Sequence, residues 1–398
     1  MKAPNGLLAQ VSTAHLISHL HIMAVPAMLP LLPNAMQVSF VELGIALGVF
    51  NIVSAVVQAP LGFLVDRAGA RRMLLAALSL GSLSFALLAA FPTYFCLLVA
   101  MGLAGLANGV YHPADYSLLS QGVASERMGR AFSIHTFAGF LGAALAPPIM
   151  VGVALASGPR WSFAVAAMTG LIGLCIVAIG SHQPEKAKRT MTSRLNTAEA
   201  RPLTTPGGTL AVLTLLFAML SLSTGAIEKF SVSALVQGFE VPLETANLAL
   251  TVFMFSSALG VLAGGILADR TAKHGYVAAG AFALAAVFVM IVIGVPLSPP
   301  LLALALGAIG FLTGIVAPSR DMLVRAASPA GAEGKTFGIV STGFNVGGVA
   351  GPILFGFLLD RGLASGVLWA SVGFMVITTV IVLAQERNIA PKPALAAR

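Results

Sequence analysis

Charge is scarce in this chain. Asp, Glu, Lys and Arg make up only 9% of its 398 residues, against about 25% in ordinary soluble domains. That shortage excludes a water-soluble globule, which could not hide a sequence that is 58% hydrophobic. Cysteine is nearly missing too. Cys96 and Cys175 both lie inside apolar runs, so neither a disulfide framework nor a zinc spacing is available. No glycine-rich loop with a lysine is present to cradle phosphates, which excludes ATP as the direct source of energy. The short alternating segments of a membrane β-barrel are also lacking. No catalytic constellation or cofactor motif emerges, so an enzyme is not expected.

What the chain has in abundance is long uncharged stretches: Leu74 to Phe91, Phe95 to Val110 and Val277 to Pro296 carry no charge. A membrane-crossing helix needs roughly 20 mainly apolar residues. Apolar runs read against turn and charge signals predict twelve spans. These are 7–31, 41–64, 73–91, 94–118, 131–154 and 160–180, then 209–231, 244–267, 276–296, 299–323, 336–359 and 364–384. The net charge of +8 is not gathered in a block of the kind that binds nucleic acid. If the N-terminus is cytoplasmic, only Arg160, Lys229 and Arg361 of the 22 Lys and Arg fall on the outer side. The positive-inside rule then places both termini in the cytoplasm. Met1 to Gln10 leads directly into the first span, so no cleavable signal is expected.

The chain is also written twice. Gly105, Gly109, Pro113, Gly129, Phe132, Ile134, Gly142 and Pro147 recur without a gap 205 positions later. Their counterparts are Gly310, Gly314, Pro318, Gly334, Phe337, Ile339, Gly347 and Pro352. Gly62, Leu64, Asp66 and Arg67 likewise return as Gly265, Leu267, Asp269 and Arg270. Two similar halves follow: a six-helix bundle over 1–180, a polar linker over 181–208, and a second bundle over 209–398 with a short cytoplasmic tail. Transporters built from such repeats hold their site between halves that move against each other. The linker carries Lys186, Lys188, Arg189, Arg194 and Arg201 and reads as a cytoplasmic tether.

The run from Gly62 through Asp66, Arg67 and Gly69 to Arg71 and Arg72, with its weaker copy at Gly265 to Arg270, resembles the loop motif of the major facilitator superfamily. The resemblance covers the whole chain. It implies an all-α membrane fold of twelve transmembrane helices in two pseudo-symmetric bundles. It also implies that Asp66, Arg67, Asp269 and Arg270 gate the cytoplasmic side. The fifth span, with Gly139, Gly142, Ala146, Pro147 and Pro148, resembles the fifth-helix motif of drug antiporters in that family. Ala146 stands where that motif has a glycine. Small residues and proline at this spacing, and at Gly347, Gly351 and Pro352 in the eleventh span, also serve helix packing, as does Gly62. The fourth span has Met101 where proton-coupled exporters of the family carry an arginine. Its His112-Pro113 pair resembles the fosmidomycin-resistance branch of drug exporters.

Ionisable groups inside a span cost a few kcal/mol unless a wet cavity or a partner receives them. The resemblance implies that spans one, four, seven and ten line a central cavity, and most such groups fall there. His15 and His19 are one turn apart and share a face of the first span; imidazole, with a pKa of about 6.5, can carry a proton through a cycle. His21 points elsewhere, to polar backbone or headgroups. His112 and Asp115 share a face of the fourth span. Asp115 aligns with Arg320 in the repeat, which suggests a gate pair across the seam; Asp321 and Arg325 beside Arg320 offer local pairing as the rival. Glu228 is the carboxylate of the seventh span and can load a proton from outside, or simply be solvated beside Lys229. Asn51, Ser54 and Gln58 form a polar stripe, and Asn108, Thr313, Ser341 and Asn345 add hydrogen-bonding groups for substrate or for helix contacts.

The expected function is secondary active transport of a small organic molecule across the cytoplasmic membrane by alternating access, as proton-coupled export of drug-like or amphiphilic compounds. The alternative is an importer or facilitator of a metabolite such as an organic anion or sugar, with Arg320 as an anion ligand. A membrane sensor on the same bundle would need an extra signalling domain or long tail, and neither the Ser181–Gly208 loop nor the tail after Glu386 is large enough to be expected to serve as one. The expected partners are the cargo, protons and the lipid bilayer, with no nucleic acid, metal or cofactor, and the family's default is a monomer.

Overall fold

A computed structural model describes residues 4–123, 128–179, 207–271, 273–328 and 333–389, and every regular element among them is an α-helix. The first seven are α1 (Pro4–Met28), α2 (Leu32–Met36), α3 (Phe40–Ala68), α4 (Ala70–Ala90), α5 (Tyr94–Gly122), α6 (Met128–Ser157) and α7 (Pro159–Ile179). Then come α8 (Gly207–Gly238), α9 (Leu243–Arg270), α10 (His274–Gly294), α11 (Pro299–Ala327), α12 (Glu333–Asp360) and α13 (Ala364–Ile389). The linker expected over 181–208 lies outside the described residues as far as 206, as does the tail beyond Ile389.

Among the described residues, eleven helices, α3 to α13, are long and apolar enough to cross a membrane. The protein is therefore a multi-pass membrane protein. Helix α1 is equally long, but it carries Ser12, His15, Ser18 and His21, all of them buried. Averaged hydropathy counts these groups as though they faced the bilayer, whereas the fold turns them inward.

Two of the boundaries that differ from the sequence expectation have a clear local cause. The first helix stops at Met28, and the Leu29 and Leu31 N–H groups close a turn onto the Pro26 and Met28 carbonyls. Pro30 has no N–H with which to continue the helix, and the short α2 begins instead with Pro33 in its first turn. Helix α8 runs seven residues past the expected end at 231, because Ser231 and Ser233 are buried within the protein.

The described helices cluster into two compact units. One holds α1 to α7 together with Pro352–Asp360; the other holds α8 to α11, the rest of α12 up to Gly351, and α13. The end of α12 thus groups with the first unit. The Asp360 carboxylate accepts hydrogen bonds from the Phe40 N–H at 2.7 Å and the Val41 N–H at 2.8 Å. Beside it Glu42 and Ser39 close a reciprocal cap: Glu42 accepts from the Ser39 N–H at 2.7 Å, and Ser39 Oγ from the Glu42 N–H at 3.1 Å. Two carboxylates and the Ser39 hydroxyl thus receive the donors that begin α3, where the helix dipole favours negative charge.

Neighbour relations repeat within the units. α3 packs on α5 as α9 does on α11, α4 on α7 as α10 on α13, and α4 on α5 as α10 on α11. Glycine sets the spacing at the first of these pairs. A Cβ at Gly105 would stand 2.6 Å from the Phe50 carbonyl oxygen, and one at Gly310, its repeat partner, would overlap the Phe253 carbonyl. Ties between helix ends differ in sign between the units. In the first unit the Arg71 guanidinium donates to the Val177 and Ala178 carbonyls that end α7, at 2.9 and 3.0 Å. In the second, the Glu386 carboxylate accepts from the Gly275 N–H that begins α10, at 3.0 Å. Each charge suits the helix end it meets. Arg71→Ala is expected to lower unfolding stability by about 1–2 kcal/mol, with Arg71→Lys recovering part of it; unchanged thermal unfolding in detergent would dismiss this tie.

Candidate functional site

Three helices of the first unit bring their ionisable groups to one place. Helix α1 contributes His15 and His19, one turn apart; α5 contributes His112 and Asp115; α6 contributes His135. The Asp115 carboxylate is fully buried, 3.4 Å from His15 Nδ1 and 3.7 Å from His135 Nε2. The His15 and His135 rings stack with centroids 3.8 Å apart. His19 and His112 close the group at 4.6 and 5.3 Å from the His15 ring, and Tyr116 flanks His112. His15 Nδ1, both Asp115 oxygens, both His135 nitrogens and His112 Nδ1 are buried without an aligned hydrogen-bond partner. Buried polar atoms are nearly always paired, so such a concentration of unpaired ones is unusual.

The sequence builds this junction through α6. A Cβ at Gly139 would come within 2.7 Å of His15 Nε2, and one at Gly142 would overlap the Leu16 backbone. The glycines read as packing residues thus let α1 lie against α6 and leave the space the imidazoles fill. His135 is the member that sequence reasoning missed. Its signal was there: it is an imidazole inside an apolar span, one turn before Gly139. Spacing along the chain offers no metal set, and the fold amends that, because one donor atom each from His15, Asp115 and His135 lies within 4.8 Å of the others. The His15 and His135 rings lie stacked, 26° from parallel.

Other expected residues fall elsewhere. His21 Nε2 lies 2.9 Å from the Ala166 carbonyl, against polar backbone as expected. Asn108 donates to Ser54 Oγ at 2.7 Å, tying α5 to α3, and Asn51 donates to the Leu47 carbonyl of its own helix. Both hydrogen bonds join protein to protein. Gln58 and Asn345 are exposed, and Glu228 and Lys229 are half-buried on α8. Asp66 and Arg67 are exposed at the end of α3, and Arg270 at the end of α9; the Asp269 side chain is outside the described set. For the suggested gate pair, Asp115 is engaged by His15 and His135 of its own unit, and Arg320 by Asp321 of its own at 2.8 Å. Each of the two thus has a partner within its own unit.

Membrane-crossing helices in two units of matching internal architecture, with ionisable groups buried inside one of them, define a polytopic carrier of the repeat-built type. The Major Facilitator Superfamily profile matches residues 11–239 and again 209–397, and the chain belongs to that family. An uncharacterized MFS-type transporter, YfnC of Bacillus subtilis, is 27% identical over 276 residues, 67% of this chain and 66% of that protein. The fosmidomycin resistance protein of Escherichia coli is 25% identical over 288 residues, 72% of this chain and 70% of that protein. The chain thus matches about two thirds of the length of these curated relatives. A shorter match, 31% over 134 residues, covers 33% of this chain and 31% of probable anion transporter 6 of Oryza sativa. Among solved structures, a bacterial homolog of the human lysosomal transporter Spinster superimposes with a TM-score of 0.81 at 14% identity, covering 99% of this chain and all of that one. A mutant of the nucleoside transporter NupG gives 0.77 at 15% identity, covering 95% of this chain and 99% of that one. At such identities the likeness is one of fold.

Proposed function

We propose that this protein is a secondary active transporter of twelve spans in two bundles, with α1 as the twelfth, that exports a small amphiphilic organic molecule in exchange for protons. The bacterial relatives support a cytoplasmic membrane location, and the distribution of Lys and Arg supports cytoplasmic termini. The single chain works as a monomer, and Asp66, Arg67, Asp269 and Arg270 serve as its cytoplasmic gate. The observation that carries proton coupling is the cluster of Asp115 with His15, His19, His112 and His135. With a proton on one imidazole, the Asp115 carboxylate has a compensating charge beside it. With none, a bare carboxylate is buried, at a cost of several kcal/mol. Loading and unloading this junction changes the energy of burying it, and such a difference biases a two-state carrier.

The test is susceptibility profiling of cells with and without the protein, followed by transport in proteoliposomes with and without an imposed pH gradient. Resistance to particular toxic compounds and gradient-dependent movement are the expected results; unchanged susceptibility combined with nutrient uptake would replace export with import. Import or facilitation of an organic anion is the second reading, favoured by Arg320 within the second unit and by the names of the anion-transporter relatives. Topology has its own check. Arg67→Cys and Arg270→Cys, each in a background lacking Cys96 and Cys175, are expected to react with a membrane-impermeant thiol reagent from the same side. Reaction from opposite sides would refute the twin-bundle arrangement.

A further inference from the structure

The position that carries Asp115 in the first unit carries Arg320 in the second, and the surroundings have changed with the charge. The guanidinium carbon of Arg320 on α11 lies 5.0 Å from the ring centroid of Phe217 on α8 and 4.9 Å from that of Phe344 on α12. The two rings are themselves 4.7 Å apart and tilted by 56°, so they form a notch in which the cation rests. The notch is built into the fold. Ser221 Oγ donates to the Phe344 carbonyl at 3.1 Å, and a Cβ at Gly343 would meet the Phe217 side chain at 2.9 Å. Phe344 stands where the repeat has Gly139, which in the first unit leaves space for His15.

The geometry points to Arg320 as the ligand for the anionic group of the cargo, a carboxylate or phosphonate on an apolar or aromatic body, with Asp321 occupying its place in the absence of cargo. The inference rests on the transporter reading above and names the class of molecule carried. Arg320 meets Asp321 through Nε and Nη2, both on the single oxygen Oδ1 at 2.8 Å, and among the described residues the Nη1 donors have no partner. Residues adjacent in a helix do not face each other, yet these two side chains meet. The Asp321 side chain is 46% exposed and that of Arg320 19%. Asp321 is therefore the more open half of the pair, the half that a ligand would displace. An incoming oxyanion can take both N–H groups of one guanidinium edge in parallel, which one Asp321 oxygen does not, and charge-assisted paired bonds are the strong ones. The phenyl faces hold the cation in place and offer the apolar body of the ligand a surface.

Equilibrium binding of phenylphosphonate and benzoate to the purified full-length protein in nanodiscs tests this, with benzamide as the neutral match. The expected result is binding of both anions and not of benzamide. Arg320→Gln should weaken anion binding about tenfold or more, and Arg320→Lys should recover only part, because the planar fork is lost. Asp321→Asn should tighten it several-fold by removing the competitor, and this arm stands even if the arginine variants do not fold. Equal binding of benzamide, or no tightening in Asp321→Asn, would overturn the proposal. Nanodiscs of zwitterionic lipid and of lipid enriched in anionic headgroups should bind the probes alike; suppression by the anionic lipid would make Arg320 a headgroup site instead. The readout needs no transport, so proton-driven export without anion binding would remove this inference and leave the transporter reading standing.

Discussion

Asp115→Asn is expected to abolish accumulation driven by a pH gradient while leaving counterflow exchange of cargo intact. A one-unit gradient stores about 1.4 kcal/mol per proton, enough to hold a roughly tenfold concentration ratio in one-for-one exchange. The variant should let that ratio fall to about one. Asn keeps the shape of the side chain and removes the charge that His15 and His135 face at 3.4 and 3.7 Å. The variant is therefore expected to fold and to bind cargo, alternating without a proton to carry. His135→Gln provides the second arm, because it removes the stacked imidazole and leaves Asp115 in place; it should weaken coupling and shift its pH profile. If Asp115→Asn accumulates cargo to the wild-type ratio, the buried cluster is not the coupling site.

Gly310→Ala is expected to destabilise the protein by about 3 kcal/mol, the upper part of the range for overpacking a closely fitted core. The added methyl would overlap the Phe253 carbonyl, which belongs to helix backbone and cannot rotate away. α9 and α11 would have to separate along their whole contact, where Gly260, Gly264 and Gly314 also meet backbone of the facing helix. Gly105→Ala, its repeat partner against Phe50, should do the same to a lesser degree, since a Cβ there would stand off at 2.6 Å. Gly265→Ala has open space around it and should cost nothing, or stabilise the helix by up to about 1 kcal/mol, because alanine is the better helix former. Thermal unfolding in one detergent compares the three directly. Equal loss at Gly265 and Gly310 would mean that helix spacing is not what these glycines set.

The helices were legible because a run of apolar residues registers the bilayer thickness directly. Their ends were less so: α3, α5 and α9 each continue past the apolar stretch into polar residues such as Asp66, Gln121 and Arg270, where hydropathy falls but backbone hydrogen bonding does not. The cluster was half legible. His15, His19, His112 and Asp115 stood out as ionisable groups at helical spacing in apolar spans. His135 did not, since no other ionisable group near it in the chain shares its face. The notch around Arg320 was invisible for a related reason. Phe217 and Phe344 are two of 23 phenylalanines, and an aromatic residue in a membrane helix has no signature that separates a cation's neighbour from a lipid's.

Sequence alone determined the membrane class, the helical fold, the duplication and the list of costly polar groups, because each of these is a property of composition or period along one strand of chain. Tertiary structure decided which of those groups meet. It set His135 against His15, turned Asp115 inward to both, and drew Arg320 to Asp321 between two phenyl rings. Those outcomes depend on how closely helices distant in the chain can approach, a distance set by carbonyl and glycine contacts between them, and no local pattern records it.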